Sequence, residues 1–308
     1  MARLWSMILL SCGFLTELQA ANNSNNVLQK DVHQIWVEGN QFLEEGKYEQ
    51  AIENYDKVLS DRPDFFNAWY RKGLAIKLGG DKKGSLACFD EVLKLKSDHV
   101  PSLNARGNTY IQLGRYQEAF KDLQKAIDID DQYFLAHYNL GTAWLFTGEF
   151  KKALIHYQFA VRINPKPQEL WYRIGCVFSE LGRQEDAIEA LEKALQLKPV
   201  YENFETDIWF QKGFSLHALR RYTEAEDCYL QVLELDEKYA VAYYNLACVY
   251  AMQERWDESF ESLKRHYEIT SDDPSEVYTD DELKGLVEHP IYSRKIKDIV
   301  AKHSEIKE

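Results

Sequence analysis

The stretch from residue 137 to residue 165, HYNLGTAWLFTGEFKKALIHYQFAVRINP, predicts two amphipathic helices joined by a short turn. Apolar side chains recur at helical spacing in its first half, and the polar tripeptide 147–149 then interrupts the pattern. The spacing resumes after the turn and stops before Pro165, because a residue that precedes proline avoids the helical conformation. Gly141 in the first helix and Ala153 in the second are small enough to let the two backbones approach closely. The stretch therefore predicts a helical hairpin.

The same two-helix pattern recurs along most of the chain, at a spacing of 34 residues and once of 38. A small residue in the first helix falls at Gly39, Gly73, Gly107, Gly141, Gly175, Gly213 and Ala247. A small residue followed four positions later by a large apolar one marks the second helix, at Ala51/Tyr55, Ser85/Phe89, Ala119/Leu123, Ala153/Tyr157, Ala187/Leu191, Ala225/Tyr229 and Ser259/Leu263. Since neither helix of a unit can bury its apolar face alone, we expect neighbouring units to stack.

These markers resemble the tetratricopeptide repeat family, whose pattern is W-x2-L-G-x2-Y, then A-x3-F, then P. The fifth unit reads Trp171-x2-Ile174-Gly175-x2-Phe178, then Ala187-x3-Leu191, then Pro199. The resemblance implies an all-α fold, a right-handed superhelical solenoid of antiparallel helix pairs. It covers most of the chain and is specific for architecture, whereas members of one fold family can bind different ligands.

On this register the chain divides into four segments. Residues 1–20 are a signal, 21–31 a polar linker, 32–270 seven repeat units, and 271–308 an acidic linker with capping helices. The units span about 32–65, 66–99, 100–133, 134–167, 168–201, 206–239 and 240–270, with residues 202–205 inserted after the fifth. Short helices are expected from Asp280 to Leu286 and from His289 onward. A polar-faced cap suits this end, because the last unit would otherwise expose its stacking surface.

The first twenty residues predict an export signal. An apolar run from Leu4 to Leu15 follows a single arginine, and small residues precede a cleavage point near Ala21. The run is shorter than the ~20 residues that a membrane-spanning helix needs. Cys12 allows a second interpretation, a lipoprotein signal with a lipid anchor, and retention of the segment is the third. We expect a periplasmic, secreted or envelope-anchored protein, with a cytoplasmic one as the alternative.

The composition argues against several classes of function. The chain carries 50 acidic and 37 basic residues, and its formal net charge of −13 repels nucleic acid and acidic lipid. The histidines and cysteines show no metal-binding or catalytic spacing, so we expect no metal, no cofactor and no enzyme. Cys88, Cys176, Cys228 and Cys248 fall within helical patterns, where a thiol is usually a small buried apolar group. Free thiols are commoner in reducing compartments, which argues somewhat against export.

The resemblance implies that the first helix of each unit lines a concave groove, with repeat positions 2, 5, 6, 9, 12 and 13 facing it. Position 5 carries an aromatic residue in six units of seven, and amides and basic residues occupy several other positions. The expected groove residues are Trp36, Asn40, Tyr70, Arg71, Lys77, Asn104, Asn108, Tyr138, Asn139, Tyr172, Arg173, Phe210, Gln211, Tyr244 and Asn245.

Such a groove suits a partner protein that lays an extended segment or a helix across it. Carboxamides can pair with a peptide backbone, aromatic rings can bury its side chains, and Arg71 and Arg173 can meet a carboxylate bidentately. The aromatic residues can equally pack between units, or form a surface for self-association. A clamp for terminal carboxylates, which some family members use on chaperones, is disfavoured because Asn104 and Glu169 stand where lysines are needed.

We therefore predict a protein–protein interaction scaffold or adaptor that binds one or more partner proteins in this groove. A cytosolic co-chaperone or regulatory subunit is the alternative, favoured if the first twenty residues are retained. The substrate-recognition part of an enzyme complex is a third hypothesis, weakened because this sequence holds no catalytic segment beside the repeats.

Overall fold

The computed structural model describes residues 32–198, 204–270 and 272–306, and the regular elements in these ranges are all helices. The all-α class predicted from the repeat pattern is therefore confirmed. The predicted signal with Cys12, the linker 21–31 and Pro199 lie outside the described residues. The chain forms two compact units, which divide in sequence between Ala143 and Trp144.

The first unit is built from successive antiparallel helix pairs. Its helices are α1 (residues 32–44), α2 (Tyr48–Asp61), α3 (Phe66–Leu78), α4 (Lys82–Leu95), α5 (Val100–Gln112), α6 (Tyr116–Ile129) and the first part of α7 (Phe134–Phe146). Within it, α3 packs on α4 and α5 on α6, and the second helix of one pair also packs on the first helix of the next. Both faces of these short helices are therefore used, and the core runs along the stack.

The second unit continues the same plan and ends in shorter elements. It holds the end of α7, then α8 (Phe150–Ile163), α9 (Gln168–Glu180), α10 (Gln184–Leu195), α11 (Phe204–Ala218), α12 (Tyr222–Leu235), α13 (Ala240–Met252) and α14 (Trp256–Ile269). A 3₁₀ helix (Pro274–Tyr278), α15 (Lys284–Glu288) and α16 (Tyr292–Ile306) follow. The helix predicted from Asp280 therefore begins only at Lys284.

The repeated glycine and the large residue of the second helix form one contact. A Cβ atom added to Gly73 would lie 2.8 Å from the ring of Phe89, and one added to Gly175 would lie 2.7 Å from Leu191. Phe89 and Leu191 are fully buried. The glycine thus makes room for the large side chain of the second helix. A Cβ atom on Gly175 would also lie 3.3 Å from the Ala187 carbonyl oxygen, which agrees with the close approach of the small residues that the sequence pattern suggests. The two markers keep a fixed separation because they touch.

The turns inside the pairs place one residue in the left-handed region. Gly114 and Gly182 adopt φ angles of +71° there, which glycine reaches without strain. The two last pairs of the second unit use other residues, Arg220 with a φ of 60° and Glu254 with a φ of 58°. The turn therefore has the same left-handed backbone geometry in the pairs where another residue takes the place of glycine.

The C-terminal elements pack against the last helix pair. Val277, Leu286 and Ile296 are each 1% exposed or less, and they join Phe260 and Leu263 of α14 in one apolar cluster. The polar side of α16 carries exposed residues such as Lys297. These elements thus cover the face of α13 and α14 that a further helix pair would otherwise cover.

Candidate functional site

The aromatic residues predicted at position 5 are half-buried and pack between helix pairs. In the first unit the Trp36 ring lies 5.6 Å from Tyr55 and 5.0 Å from Phe65, and the Tyr70 ring lies 5.4 Å from His99. The second unit repeats this arrangement, with Tyr172 on Phe204, Phe210 on Tyr229 and Tyr239, and Tyr244 on His266. The Trp36, Tyr70, Tyr172 and Phe210 rings therefore join their own pair to the next element along the chain, whereas Tyr244 contacts His266 within its own pair. These contacts serve packing between successive helix pairs, which is one of the roles that the sequence allows for these residues.

Three first helices of the first unit are joined by a network of carboxamides. The Asn139 side chain of α7 donates to the Asn104 oxygen of α5 at 2.8 Å. The Asn108 side chain of α5 donates to the Asn139 oxygen at 3.0 Å. The Lys77 ammonium of α3 and the Gln112 amide both donate to the Asn108 oxygen. The structure thus brings together Lys77, Asn104, Asn108 and Asn139, which were expected on one face.

The buried members of this network are not available to a peptide backbone. Asn104 is 7% exposed and Asn139 is 5% exposed, and the oxygens of both side chains accept hydrogen bonds from other members of the network. Asn108 and Lys77 lie at the more accessible end. The carboxamides therefore act first as a rigid support that fixes where the Lys77 ammonium points.

Two cations on the first helices of the first unit lack a carboxylate partner. Among the described residues, Lys77 donates a hydrogen bond only to Asn108, and Arg71 takes part in no hydrogen bond or ion pair. Burial and the nearby Lys82 ammonium lower the pKa of Lys77 to about 8. Its ammonium is therefore still largely charged at neutral pH, at the cost of desolvation. These two groups can accept an anion from outside the chain.

In the second unit, the corresponding side chains form ion pairs or hydrogen bonds with other groups of the same chain. The Arg173 guanidinium lies 2.6 Å from the Glu169 carboxylate, one helical turn earlier on α9. The Asn245 side chain donates to the Val241 carbonyl of its own helix at 2.9 Å. The Tyr244 hydroxyl donates to Asp280. Arg173, which was expected to meet a partner's carboxylate, is therefore already paired with a carboxylate of its own helix.

The remaining expected groove residues differ in how accessible they are. In the first unit Asn40 accepts a hydrogen bond from the Tyr55 hydroxyl at 3.0 Å, and Tyr138 stacks on Phe134 with ring centres 6.1 Å apart. In the second unit Gln211 is half-buried and makes no hydrogen bond to a described residue. Asn40 and Tyr138 are thus partly engaged, whereas the Gln211 carboxamide is not held by a hydrogen bond to a described residue.

Exposed apolar residues of the first helices were missed from the sequence. Leu135 is 45% exposed in the first unit, and Phe214 and Val241 are 46% and 51% exposed in the second. They fall at repeat positions 2 and 9, which the resemblance also assigns to the groove. A choice limited to aromatic, amide and basic residues passed over Leu135 and Val241, and considering aromatic residues at position 5 alone passed over Phe214. A partner's apolar side chains can be buried there.

Models of known protein families match several stretches of the chain. Those described as TPR repeat match residues 39–80 and 107–144, and those described as Tetratricopeptide repeat match 168–201 and 205–272. Together these stretches hold more than half of the chain. None of the described helices has the length and apolar character that crossing a bilayer requires.

Curated relatives share part of the chain. The Peroxisomal targeting signal receptor of Saccharomyces cerevisiae is 24% identical over 52% of this chain and 33% of its own length. Tetratricopeptide repeat protein 13 of Homo sapiens is 30% identical over 50% of this chain and 18% of its own. The Hsp70-Hsp90 organizing protein of Triticum aestivum is 24% identical over 72% of this chain and 38% of its own. The chain thus spans less than half the length of each relative.

Solved structures show the same fold at low identity. The chain matches the APC/C hetero-tetramer Cut9-Hcn1 with a TM-score of 0.61 at 18% identity, over 81% of this chain and 48% of the other. It matches PilW, a type IV pilus biogenesis factor, with a TM-score of 0.60 at 18% identity, over 68% and 94%. These similarities concern the fold alone.

Proposed function

The chain belongs to the tetratricopeptide repeat family, and from this premise we propose that it holds an acidic segment of a partner protein on the first helices of its first unit. Proteins of this family act in general as protein-interaction scaffolds, and they are typically not enzymes. The family alone assigns neither the face that binds nor the chemistry of its ligand. The contacts of α3, α5 and α7 support an answer to both.

The observation that carries this proposal is the pair of uncompensated cations at Arg71 and Lys77. The chain has a formal net charge of −13, so a cation without a carboxylate neighbour is conspicuous in it. Keeping Lys77 desolvated lowers its pKa to about 8, which is unfavourable unless an anion joins it. Partner carboxylates placed on each of these groups would form charge-assisted hydrogen bonds, and the one on Lys77 would do so in a partly buried site.

The surroundings of the two cations add apolar contacts. Tyr70 is half-buried beside Arg71, and Leu135 of α7 is 45% exposed. Both belong to the helices that the carboxamide network joins. A segment that alternates acidic and apolar side chains therefore fits this face better than a purely acidic one.

The names of two relatives describe recognition of other proteins, one of a peroxisomal targeting signal and one organising Hsp70 and Hsp90. The co-chaperone alternative draws on the second. Here Arg173, which a clamp for a chaperone C-terminus needs, is paired with Glu169. We therefore favour a scaffold with a different partner.

We base the proposal that the chain is not an enzyme on the raised pKa of its cysteine thiols. Burial raises the pKa of the Cys88, Cys176 and Cys228 thiols to about 11. A thiol acts as a nucleophile through its thiolate, which is scarce at neutral pH when the pKa is that high. These cysteines thus serve packing.

The test compares two charge-reversed double variants of the full chain. Arg71→Glu/Lys77→Glu changes the proposed face, and Lys57→Glu/Lys125→Glu makes the same change of charge on exposed lysines of second helices. The probes are fluorescein-labelled peptides of alternating acidic and apolar residues, each made with a free and an amidated C-terminus, and the readout is fluorescence anisotropy. We expect the first variant to lose at least about 10-fold in affinity and the control to lose little.

The pH dependence gives a second readout of the same site. Since the Lys77 ammonium deprotonates near pH 8, affinity should fall as the pH rises through 8, and Lys77→Arg should remove that fall. Equal affinity losses in both double variants would show only long-range charge effects. Unchanged binding in Arg71→Glu/Lys77→Glu would place the site elsewhere.

A further inference from the structure

Four metal-ligand side chains from three elements of the second unit meet at the C-terminal segment. His217 lies on α11, Cys248 on α13, and Asp280 and Glu282 in the loop between the 3₁₀ helix and α15. The Cys248 sulfur and the carboxylate oxygens of Asp280 and Glu282 all lie within 4.8 Å of one another. His217 Nε2 lies 3.2 Å from a Glu282 oxygen. We call these four residues the four-donor cluster.

The imidazole of His217 is aimed into this cluster without being satisfied. His217 is 9% exposed, and its Nε2 atom is buried and makes no hydrogen bond. The atom lies at an ion-pair distance of 3.2 Å from a Glu282 oxygen, and this contact lowers the pKa of the Glu282 carboxyl. The ring is held in place edge-on against Tyr222 at 5.7 Å. A buried nitrogen without a hydrogen bond is costly, so a ligand that it could bind would be stabilising.

The charges of the cluster also favour a cation. Two carboxylates face a buried thiol, and burial together with the nearby Asp280 and Glu282 carboxylates raises the pKa of the Cys248 thiol. The Asp280 carboxylate accepts hydrogen bonds from the Tyr244 hydroxyl and the Glu282 backbone, and the Arg220 guanidinium acts on Glu282 through its charge. This single positive charge does not balance the two carboxylates.

We propose that the four-donor cluster binds a divalent transition-metal ion of the zinc type. Thiolate and imidazole donors select zinc over magnesium or calcium, and four donors match tetrahedral coordination. Ligand atoms around tetrahedral zinc are about 3.3–3.8 Å apart, so Cys248, Asp280 and Glu282 have to contract by about 1 Å. His217 contacts Glu282 and lies outside the group formed by the other three donors, so its imidazole has to move toward Cys248 and Asp280. Binding replaces the thiol proton of Cys248 with the metal and releases that proton to water.

No sequence pattern indicates this site, because its ligands are far apart in the chain. Cys248 and Asp280 are separated by 32 residues and have no CxxC or HxxxH spacing around them. Only the return of the C-terminal segment onto α13 brings them together. A metal there would fasten this segment to α11 and α13.

The test uses Co²⁺ as a spectroscopic probe on the full chain after treatment with a chelator. We expect one Co²⁺ per chain, with a thiolate-to-cobalt charge-transfer band and the visible bands of tetrahedral cobalt, all displaced by Zn²⁺. Cys248→Ser should abolish the charge-transfer band, and His217→Gln should weaken binding at least about 10-fold. Cys228→Ser, which changes a thiol that is 3% exposed and outside the cluster, is the matched control.

A variant that keeps Cys248 as its only cysteine makes the assignment independent of folding effects in Cys248→Ser. The band should persist when Cys12, Cys88, Cys176 and Cys228 are all serine. Absence of stoichiometric Co²⁺ or Zn²⁺ binding would overturn the proposal. Loss of the band in the single-cysteine variant, or its survival in Cys248→Ser, would do the same.

Discussion

At the residue scale, Glu254 has a backbone conformation that residues other than glycine rarely adopt. Its φ angle is 58°, while Gly182 in the equivalent turn has a φ of 71°. The Glu254 side chain is exposed, and only its backbone N–H, donated to Ala251, appears among its hydrogen bonds. The left-handed conformation is unfavourable for a non-glycine residue by roughly 1–2 kcal/mol. Glu254 therefore carries strain without a visible benefit to packing.

We expect Glu254→Gly to stabilise the second unit by about 0.5–1 kcal/mol. The gain from relieving the left-handed backbone is larger than the extra freedom that glycine gives the unfolded chain. Urea unfolding followed by circular dichroism measures the change. The reciprocal variant Gly182→Glu should destabilise by a similar amount. If both variants shifted stability in the same direction, turn strain would not be the cause.

Arg71 and Arg173 show what the sequence could predict about single residues. Both occupy repeat position 6 and were expected to meet a partner's carboxylate. Glu169 stands four residues before Arg173, which is the spacing of an ion pair on one helix, so this pairing was predictable. The hydrogen bond between Asn104 and Asn139 was not, because it joins α5 to α7 and depends on how the helices stack.

At the scale of elements, the helix hairpins follow from sequence and the C-terminal loop does not. Glycine and a large apolar residue sixteen positions later touch in pair after pair, so their spacing encodes the hairpin. The Asp280 carboxylate accepts hydrogen bonds from the Glu282 backbone and from Tyr244 of α13. These bonds hold residues 280–283 outside the helix, which begins at Lys284. Because a tyrosine from a distant part of the sequence helps to set where this helix begins, no local sequence pattern predicts its first residue.

The contact of α16 with the last helix pair leads to a second prediction. Ile296 is 1% exposed in the cluster with Phe260, so Ile296→Ala should cost about 2–4 kcal/mol of stability. Lys297→Ala, on the exposed side of the same helix, should be nearly neutral. Thermal and urea unfolding of both variants measure the difference. Equal stability of the two would show that α16 does not cap the array as we propose.

At the scale of the whole molecule, the thiols bear on the compartment. From the sequence alone, free cysteines argue somewhat against export. In the structure Cys88, Cys228 and Cys248 are buried, and Cys88, Cys176, Cys228 and Cys248 are unpaired. Burial raises the pKa of three of these thiols to about 11, and that of Cys248 further. Protonated thiols react slowly with oxidants and disulfides, so they are compatible with an oxidising compartment too.

Export therefore remains our proposal, and one mass measurement on protein from its native cells tests it together with the thiols. We expect a mature chain that begins near Ala21 or is lipidated at Cys12. We also expect the buried Cys88, Cys228 and Cys248 thiols to resist iodoacetamide in the folded protein and to react with it in urea, because only unfolding exposes them and restores an ordinary pKa. A chain that retains Met1 would assign the protein to the cytoplasm and favour the co-chaperone hypothesis. Rapid labelling of any of these three thiols in the folded protein would contradict their burial, and with it the argument that free cysteines are compatible with export.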